Sequence, residues 1–209
     1  MSAERPDTTR TLLLLRHGRT AWNNEQRAQG HADIGLDDVG VAQARAVAPV
    51  LAALRPAFVV SSDLARACDT AREVASASGL TASADPRLRE FDLGERTGMT
   101  MPEYAAAHPD EYAAFRAGAY DVVPAGESLG DVLARFLPAL DDAFARLRAG
   151  ETGIVVAHGA ALKVAVLAWL GWPESLAASL RGLDNCRWAA VDDSGQGGSR
   201  RLVSYNAGA

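Results

Sequence analysis

Short, wholly apolar runs alternate along this chain with longer stretches in which apolar residues recur every three or four positions. The runs Thr11 to Leu15, Phe58 to Ser61 and Ile154 to Ala157 have the pattern of strands buried on both faces. Leu80 to Ala84 reads as a short edge strand. Cys186 to Asp192 and Leu202 to Tyr205 read as a closing hairpin around a loop rich in Gly and Ser. The glycines at 195, 197 and 198 lie between strands, not between a strand and a helix, so they predict a turn and not a nucleotide-binding loop.

The helical stripes are equally distinct. Ala44, Val47, Ala48, Leu51 and Leu54 share one face of a helix that Asp37 or Asp38 can cap and Pro56 ends. Leu64, Ala67, Cys68, Ala71, Val74 and Ala75 form a second stripe, capped by Ser62 or Asp63 and stopped by Gly79. A long helix is predicted from Ser128 to about Arg148, with Pro138 marking a kink or a fresh start, and another from Ala160 to Leu170. Residues 1–10 are polar and predicted to fray. Between Asp92 and Glu127 the pattern breaks into scattered aromatics (Tyr104, Tyr112, Phe115, Tyr120) and three prolines, which predicts a helical lid. Buried strands alternating with amphipathic helices imply an α/β fold with a mostly parallel sheet covered on both sides.

Composition narrows the picture. At 209 residues and about 150 per domain, one domain spanning 1–209 is expected, with the lid at about 92–127 as an insertion. A 48% apolar content supports a sizeable core, and 22% charged residues argue against disorder. The net charge of −5 makes non-specific binding to nucleic acid or a membrane surface unfavourable. The longest apolar stretch, Leu162 to Trp172, contains Lys163 and Gly171 and is too short to span a bilayer. No export signal is visible, so a cytoplasmic location is expected. Cys68 and Cys186 stand far apart and read as buried free thiols.

Ligands of parallel α/β sheets bind beyond the carboxyl ends of the strands. The first apolar run ends in Arg16-His17-Gly18 and the third in Ala157-His158-Gly159. Two of the four histidines thus follow short buried strands, each with a glycine behind it. Arg66 falls in the first turn of a helix that also follows a buried strand, where the helix dipole disfavours a cation. Pairing with Asp63 or Asp69 would explain it as a solvated residue. If the strands are neighbours, however, Arg16, His17, Arg66 and His158 converge on one cationic spot. Guanidinium and imidazole groups suit a phosphate dianion. No P-loop is present, no arginine lies six places after a cysteine, and no cluster of metal-binding residues is evident. Without metal, cysteine or P-loop, the nucleophile left for a phosphate is histidine. No metal or cofactor is expected.

These residues carry a resemblance. Leu14-Leu15-Arg16-His17-Gly18-Arg19-Thr20 with Trp22-Asn23 resembles the signature of the histidine phosphatase superfamily, the phosphoglycerate-mutase-like proteins. Ser61 to Ala67, Leu88-Arg89-Glu90, Gly126-Glu127-Ser128 and Ala157-His158-Gly159 follow in the family's order. The resemblance implies a three-layer α/β/α fold and a phosphohistidine intermediate. It makes His17 the nucleophile and Glu90 the proton donor. Arg16, Arg66 and a protonated His158 would form the phosphate pocket, with Asn23 on the same phosphoryl group. Gln29, Gly30, Glu127 and Gly159 would border the substrate. The chain departs from the family at Arg19, where Glu or Gln is usual, and at Arg96, where Trp is common.

The implied activity is hydrolysis of a small phosphorylated metabolite, such as a sugar phosphate or a phosphoglycerate derivative, in the phosphatase branch. A cofactor-dependent phosphoglycerate mutase is the competing enzyme, but the stretch before Gly126 is short and lacks the longer basic and aromatic insertion of such mutases. A non-catalytic phospho-ligand module on the same fold is a third reading. The sequence leaves the oligomeric state open, although the resemblance makes a homodimer one candidate, since dimers are common in the family.

Overall fold

The computed structural model describes residues 8–117 and 123–208. Its centre is a six-stranded sheet, formed by β1 (Thr11–Arg16), β2 (Phe58–Ser61), β3 (Ser83–Ala84), β4 (Thr152–Ala157), β5 (Trp188–Asp192) and β6 (Arg201–Ala207). The order is β3-β2-β4-β1-β5-β6. The first four strands run parallel, while β5 is antiparallel to β1 and β6 to β5.

Side chains alternate across a strand, and in β1 all four leucines are buried, so each face needs its own cover. Leu12 and Leu14 pack beneath α6 (Leu129–Ala145) and α7 (Gly159–Trp169). Leu13 and Leu15 pack beneath α2 (Asp38–Ala52) and α3 (Ala65–Ala77). The result is the expected three-layer α/β/α fold. A short α1 (Ala21–Asn24), held by a capping box between Thr20 and Asn23, follows β1 and has no apolar stripe to announce it. The lid region holds α4 (Met101–Ala107) and α5 (Pro109–Arg116). It is tied to the loop after α1 by Ala28 N–H to Met99 O (2.9 Å) and Gly98 N–H to Ala28 O (2.8 Å). Tyr120, one of the aromatics that marked the lid, lies outside the described residues.

Several local expectations are corrected. The edge strand is only Ser83–Ala84, because just these two residues pair with β2. Neither Ser62 nor Asp63 caps α3, whose N-cap is Leu64. Asp63 is engaged by a bidentate Arg89 (2.7 and 2.6 Å), and the first amide of the helix, Ala65 N–H, donates instead to Asp33 Oδ1 at 2.6 Å. Of the two alternatives at Pro138, the fresh start is not found: α6 continues through it as one helix, since burial of Phe136, Ala139 and Leu140 offsets one lost amide bond. The predicted fraying fails at Arg10, which binds Asp193 through its backbone and side chain (2.9 and 2.8 Å) and covers Phe144; residues 1–7 lie outside the described residues. Cys186 is buried, whereas Cys68 is only half-buried, and both are free thiols. Among the described residues, no helix is long and apolar enough to cross a membrane.

Candidate active site

The order β2-β4-β1 brings the carboxyl ends of three parallel strands side by side. Arg16 closes β1 opposite Ala157 of β4, and His17 N–H donates to Ala157 O at 3.0 Å. His158 is the N-cap of α7. Arg66 is the second residue of α3 and is almost wholly buried. The imidazoles of His17 and His158 are 5.2 Å apart between ring centres. The convergence expected from sequence is therefore realised.

Hydrogen bonds set the tautomers. The Gly18 carbonyl can only accept, so the 2.7 Å contact to His17 Nδ1 requires a hydrogen on that nitrogen. Nε2 of His17 is then left with a free lone pair. Arg66 Nε–H donates to His158 Nδ1 at 3.2 Å, so His158 carries its hydrogen on Nε2. That nitrogen is buried with no hydrogen-bond partner among the described residues. Burial, followed by the charge of Arg16 and then Arg66, holds His17 well below its ordinary value of 6.5. Burial, followed by Arg66, does the same to His158. The expectation of a protonated His158 is corrected: desolvation and the neighbouring guanidinium favour the neutral ring.

This arrangement has a measurable consequence. Below pH 6.5 an unfolded chain protonates both histidines while the folded chain resists. Their contribution to stability is present above pH 6.5 and is lost as the pH falls toward the depressed folded values. Each histidine should cost up to about 1.4 kcal/mol per pH unit in that window. Urea midpoints of the wild type at pH 7.5 and 5.0, beside those of His158→Gln, should show a steeper acid loss in the wild type. Equal slopes would remove this account.

The guanidiniums are held as firmly. Arg66 donates from Nη1 to Ala32 O (2.7 Å) and from Nη2 to Gly30 O (2.8 Å), and burial pushes its pKa down to about 10, still cationic at neutral pH. Its sequence neighbours do not pair with it: Asp63 binds Arg89, and Asp69 binds Arg72 at 2.7 Å. Arg16 Nη1 donates to Leu183 O at 2.6 Å, while Nε is buried without a hydrogen-bond partner among the described residues. Gly159 makes room for it, since a Cβ there would lie 3.2 Å from Arg16 Nε. Gly18 is needed for a different reason. A Cβ on it would sit 2.6 Å from Gly40 O, so the turn carrying His17 rests directly on the backbone of α2.

Glu90 lies on the loop after β3, at the amino end of α7. Its Oε1 accepts from the amides of Phe91 (3.0 Å) and Ala161 (2.8 Å), and Oε2 accepts from Ala160 (3.0 Å). Because His158 provides no side-chain cap, this carboxylate satisfies amides that the helix start leaves open. Asn23 is oriented by its oxygen. Oδ1 accepts from Thr20 N–H (3.1 Å) and from Asn185 Nδ2 (3.3 Å), which turns its own amide NH2 elsewhere.

Arg16, His17, Arg66 and Glu90 line one cleft of about 450 Å³, together with Asn23, Gln29, Gly30, Glu127 and Gly159. His158 lies beneath it, fully buried. Arg96 also lines the cleft, whereas Arg19 is drawn away to Asp37 (2.9 Å) and Asn24 (3.2 Å). Sequence reasoning missed Arg135. This residue grips Glu127 through Nε (2.7 Å) and Nη2 (2.6 Å), and donates to the carbonyls of Arg87, Arg89 and Glu90. It also missed His31, which donates to Glu90 O at 2.8 Å. An arginine on a helix and a histidine in a loop carry no local sign of such partners.

A mostly parallel α/β sheet with paired histidines and arginines at adjoining strand ends defines the histidine phosphatase class. The family model for the histidine phosphatase superfamily (branch 1) matches residues 12–207, and the chain belongs to that family. A glucosyl-3-phosphoglycerate phosphatase of Mycolicibacterium vanbaalenii is 40% identical over 188 residues, covering 87% of this chain and 84% of the relative. A probable phosphoglycerate mutase, GpmB, of Yersinia pestis is 35% identical over 182 residues, again covering 87% and 84%. Among solved structures, a mycobacterial glucosyl-3-phosphoglycerate phosphatase in complex with VO3 superposes with a TM-score of 0.86 at 35% identity, covering 95% of this chain and 99% of that one.

Proposed function

We propose that this chain hydrolyses phosphomonoesters of small metabolites through a phosphohistidine on His17. The observation that carries the reading is the tautomer of His17: Nδ1–H is committed to Gly18 O, so Nε2 is an unprotonated nucleophile in a cleft that also contains Arg16, Arg66 and Glu90. Phosphoryl transfer needs positioning and charge neutralisation more than covalent help. Arg16 and Arg66 hold the equatorial oxygens, where charge spreads in the transition state. His158 donates from Nε2 and Asn23 from its amide. His17 Nε2 attacks phosphorus as the P–O bond to the alcohol breaks. Glu90 enters the step protonated, passes that proton to the leaving oxygen and then, ionised, regains one from the water that cleaves the P–N bond, which returns it to its starting state. Glu127 and Arg135 act as positioning residues that hold the Glu90 loop. Leu93, Arg96, Phe115 and Val123 line the same cleft and set specificity for the alcohol portion.

The phosphatase relatives support hydrolysis over isomerisation, and the phosphoglycerate in their names supports a glycerate-type phosphoester. The mutase relative is the specific reason to test the other enzyme. With D-3-phosphoglycerate and a metal chelator present, orthophosphate should accumulate faster than 2-phosphoglycerate by at least about tenfold. Isomerisation as the dominant reaction would overturn the assignment to hydrolysis. Tight phosphate binding with neither product would leave only a binding module.

A further inference from the structure

Residues 29–32 form a tight turn between α1 and α2, closed by Ala32 N–H to Gln29 O at 2.9 Å. Gly30 takes the left-handed conformation there (φ +51°), and a Cβ on it would lie 3.1 Å from the amide nitrogen of Leu93. The turn is thus pressed against the segment that follows Glu90, and a glycine permits both the conformation and the close approach. Two carbonyls of the turn, Gly30 O and Ala32 O, accept from the Arg66 fork at 2.8 and 2.7 Å. The side chain between them, His31, reaches Glu90 instead: its Nε2–H donates to Glu90 O at 2.8 Å. One tripeptide therefore holds the guanidinium of the phosphate pocket by its backbone and the proton donor by its side chain.

Glu90 O accepts a second bond, from Arg135 Nη2 at 2.7 Å. Two donors fill the two lone pairs of this carbonyl. The carboxylate end is fixed separately, by the amides of Phe91, Ala160 and Ala161. The His31 ring is itself flanked by acids: Nδ1 lies 3.7 Å from Asp92 Oδ2, and Nε2 lies 3.8 Å from Glu127 Oε2. The Arg135 bond ties the acid to α6. The His31 bond ties it to the turn that holds Arg66, and so sets its distance from a phosphoryl group seated on that arginine.

We propose that His31 is a positioning residue for proton transfer to the leaving group. His31 is not among the described residues that line the cleft, so it acts through Glu90 and not on the substrate. The inference rests on the phosphatase reading and adds the residue on which its acid step depends. Proton transfer is sensitive to register, because donor and leaving oxygen must come within about 2.6–3.2 Å of each other. A leaving group that departs as a stable anion needs no proton. Loss of register should therefore show with alkyl esters and not with activated aryl esters.

The test compares kcat/KM for sn-glycerol 3-phosphate, whose alkoxide must be protonated, with that for p-nitrophenyl phosphate, whose phenolate leaves unprotonated. Taking the ratio of the two esters within each variant of the intact chain makes the result independent of the folded fraction. His31→Phe should lower the glycerol phosphate value about tenfold more than the nitrophenyl value, part of the roughly 10²–10⁴-fold that a positioned acid supplies. His31→Gln, whose terminal amide can donate to Glu90 O, should bring the ratio back to within about threefold of wild type. In a Glu90→Gln background, where the acid is gone, His31→Phe should change the ratio no further. An unchanged ratio in His31→Phe, no recovery with Gln, or an undiminished His31 effect in the Glu90→Gln background would overturn the positioning role while leaving hydrolysis intact. A wild-type ratio in Glu90→Gln alone would remove the acid, and with it the role of His31. Phosphate released from neither ester by the wild type would defeat the phosphatase reading itself.

Discussion

Phosphate release is expected to fall on the order of 10⁴-fold or more in His17→Ala, the scale seen when a covalent nucleophile is removed. The variant should still bind inorganic phosphate, because Arg16, Arg66 and His158 keep their positions through contacts that do not involve the His17 ring. Its folding should also be less acid-sensitive, since one of the two buried neutral imidazoles is gone. Rapid quench with a labelled phosphoester should trap acid-labile, alkali-stable phosphate on the wild type and none on the variant. Turnover at the wild-type rate in His17→Ala would remove the nucleophile assignment, and with it the proposed mechanism.

The second large effect belongs to Arg66. Arg66→Lys keeps the charge but cannot reproduce a fork that reaches His158 Nδ1, Gly30 O and Ala32 O at once. Loss of about 2–4 kcal/mol of transition-state stabilisation is expected, equivalent to a 30- to 1,000-fold fall in kcat/KM. Arg66→Ala should add a folding penalty of about 1–3 kcal/mol for each buried acceptor left without a donor. The two variants separate the roles: the lysine form should lose activity with a modest shift in urea midpoint, and the alanine form should lose both. A lysine variant within threefold of wild-type kcat/KM would show that the guanidinium does not hold the reacting phosphoryl group.

Much of this fold was legible in the chain because burial leaves a periodic trace. Leu12 to Leu15 are apolar at every position, and both faces of β1 are indeed covered, by α6 and α7 on one side and α2 and α3 on the other. The two His-Gly pairs and Arg66 marked the strand ends, and β4 lies between β2 and β1 so that all three meet. The helix caps were less legible. Asp63 had the right identity and position for an N-cap, yet Arg89, from 26 residues away, claimed its carboxylate. Arg19 and Arg96 looked alike as departures from the family pattern. Only the packing of Arg19 on the Asp37 cap, and of Arg96 against Phe115 in the cleft, distinguished them.

The chain's periodicity determined a covered parallel sheet, and its motifs determined where on that sheet chemistry belongs. Those are properties of neighbouring residues, and local sequence encodes them. The protonation pattern was decided only in three dimensions, because the partners come from distant segments. Arg66 reaches His158 across 92 positions and Gly30 across 36, and Glu90 meets the amide of Ala160 across 70. An imidazole's free lone pair and a carboxylate's seat at a helix start depend on what lies within about 3 Å, and chain folding alone brings those groups together.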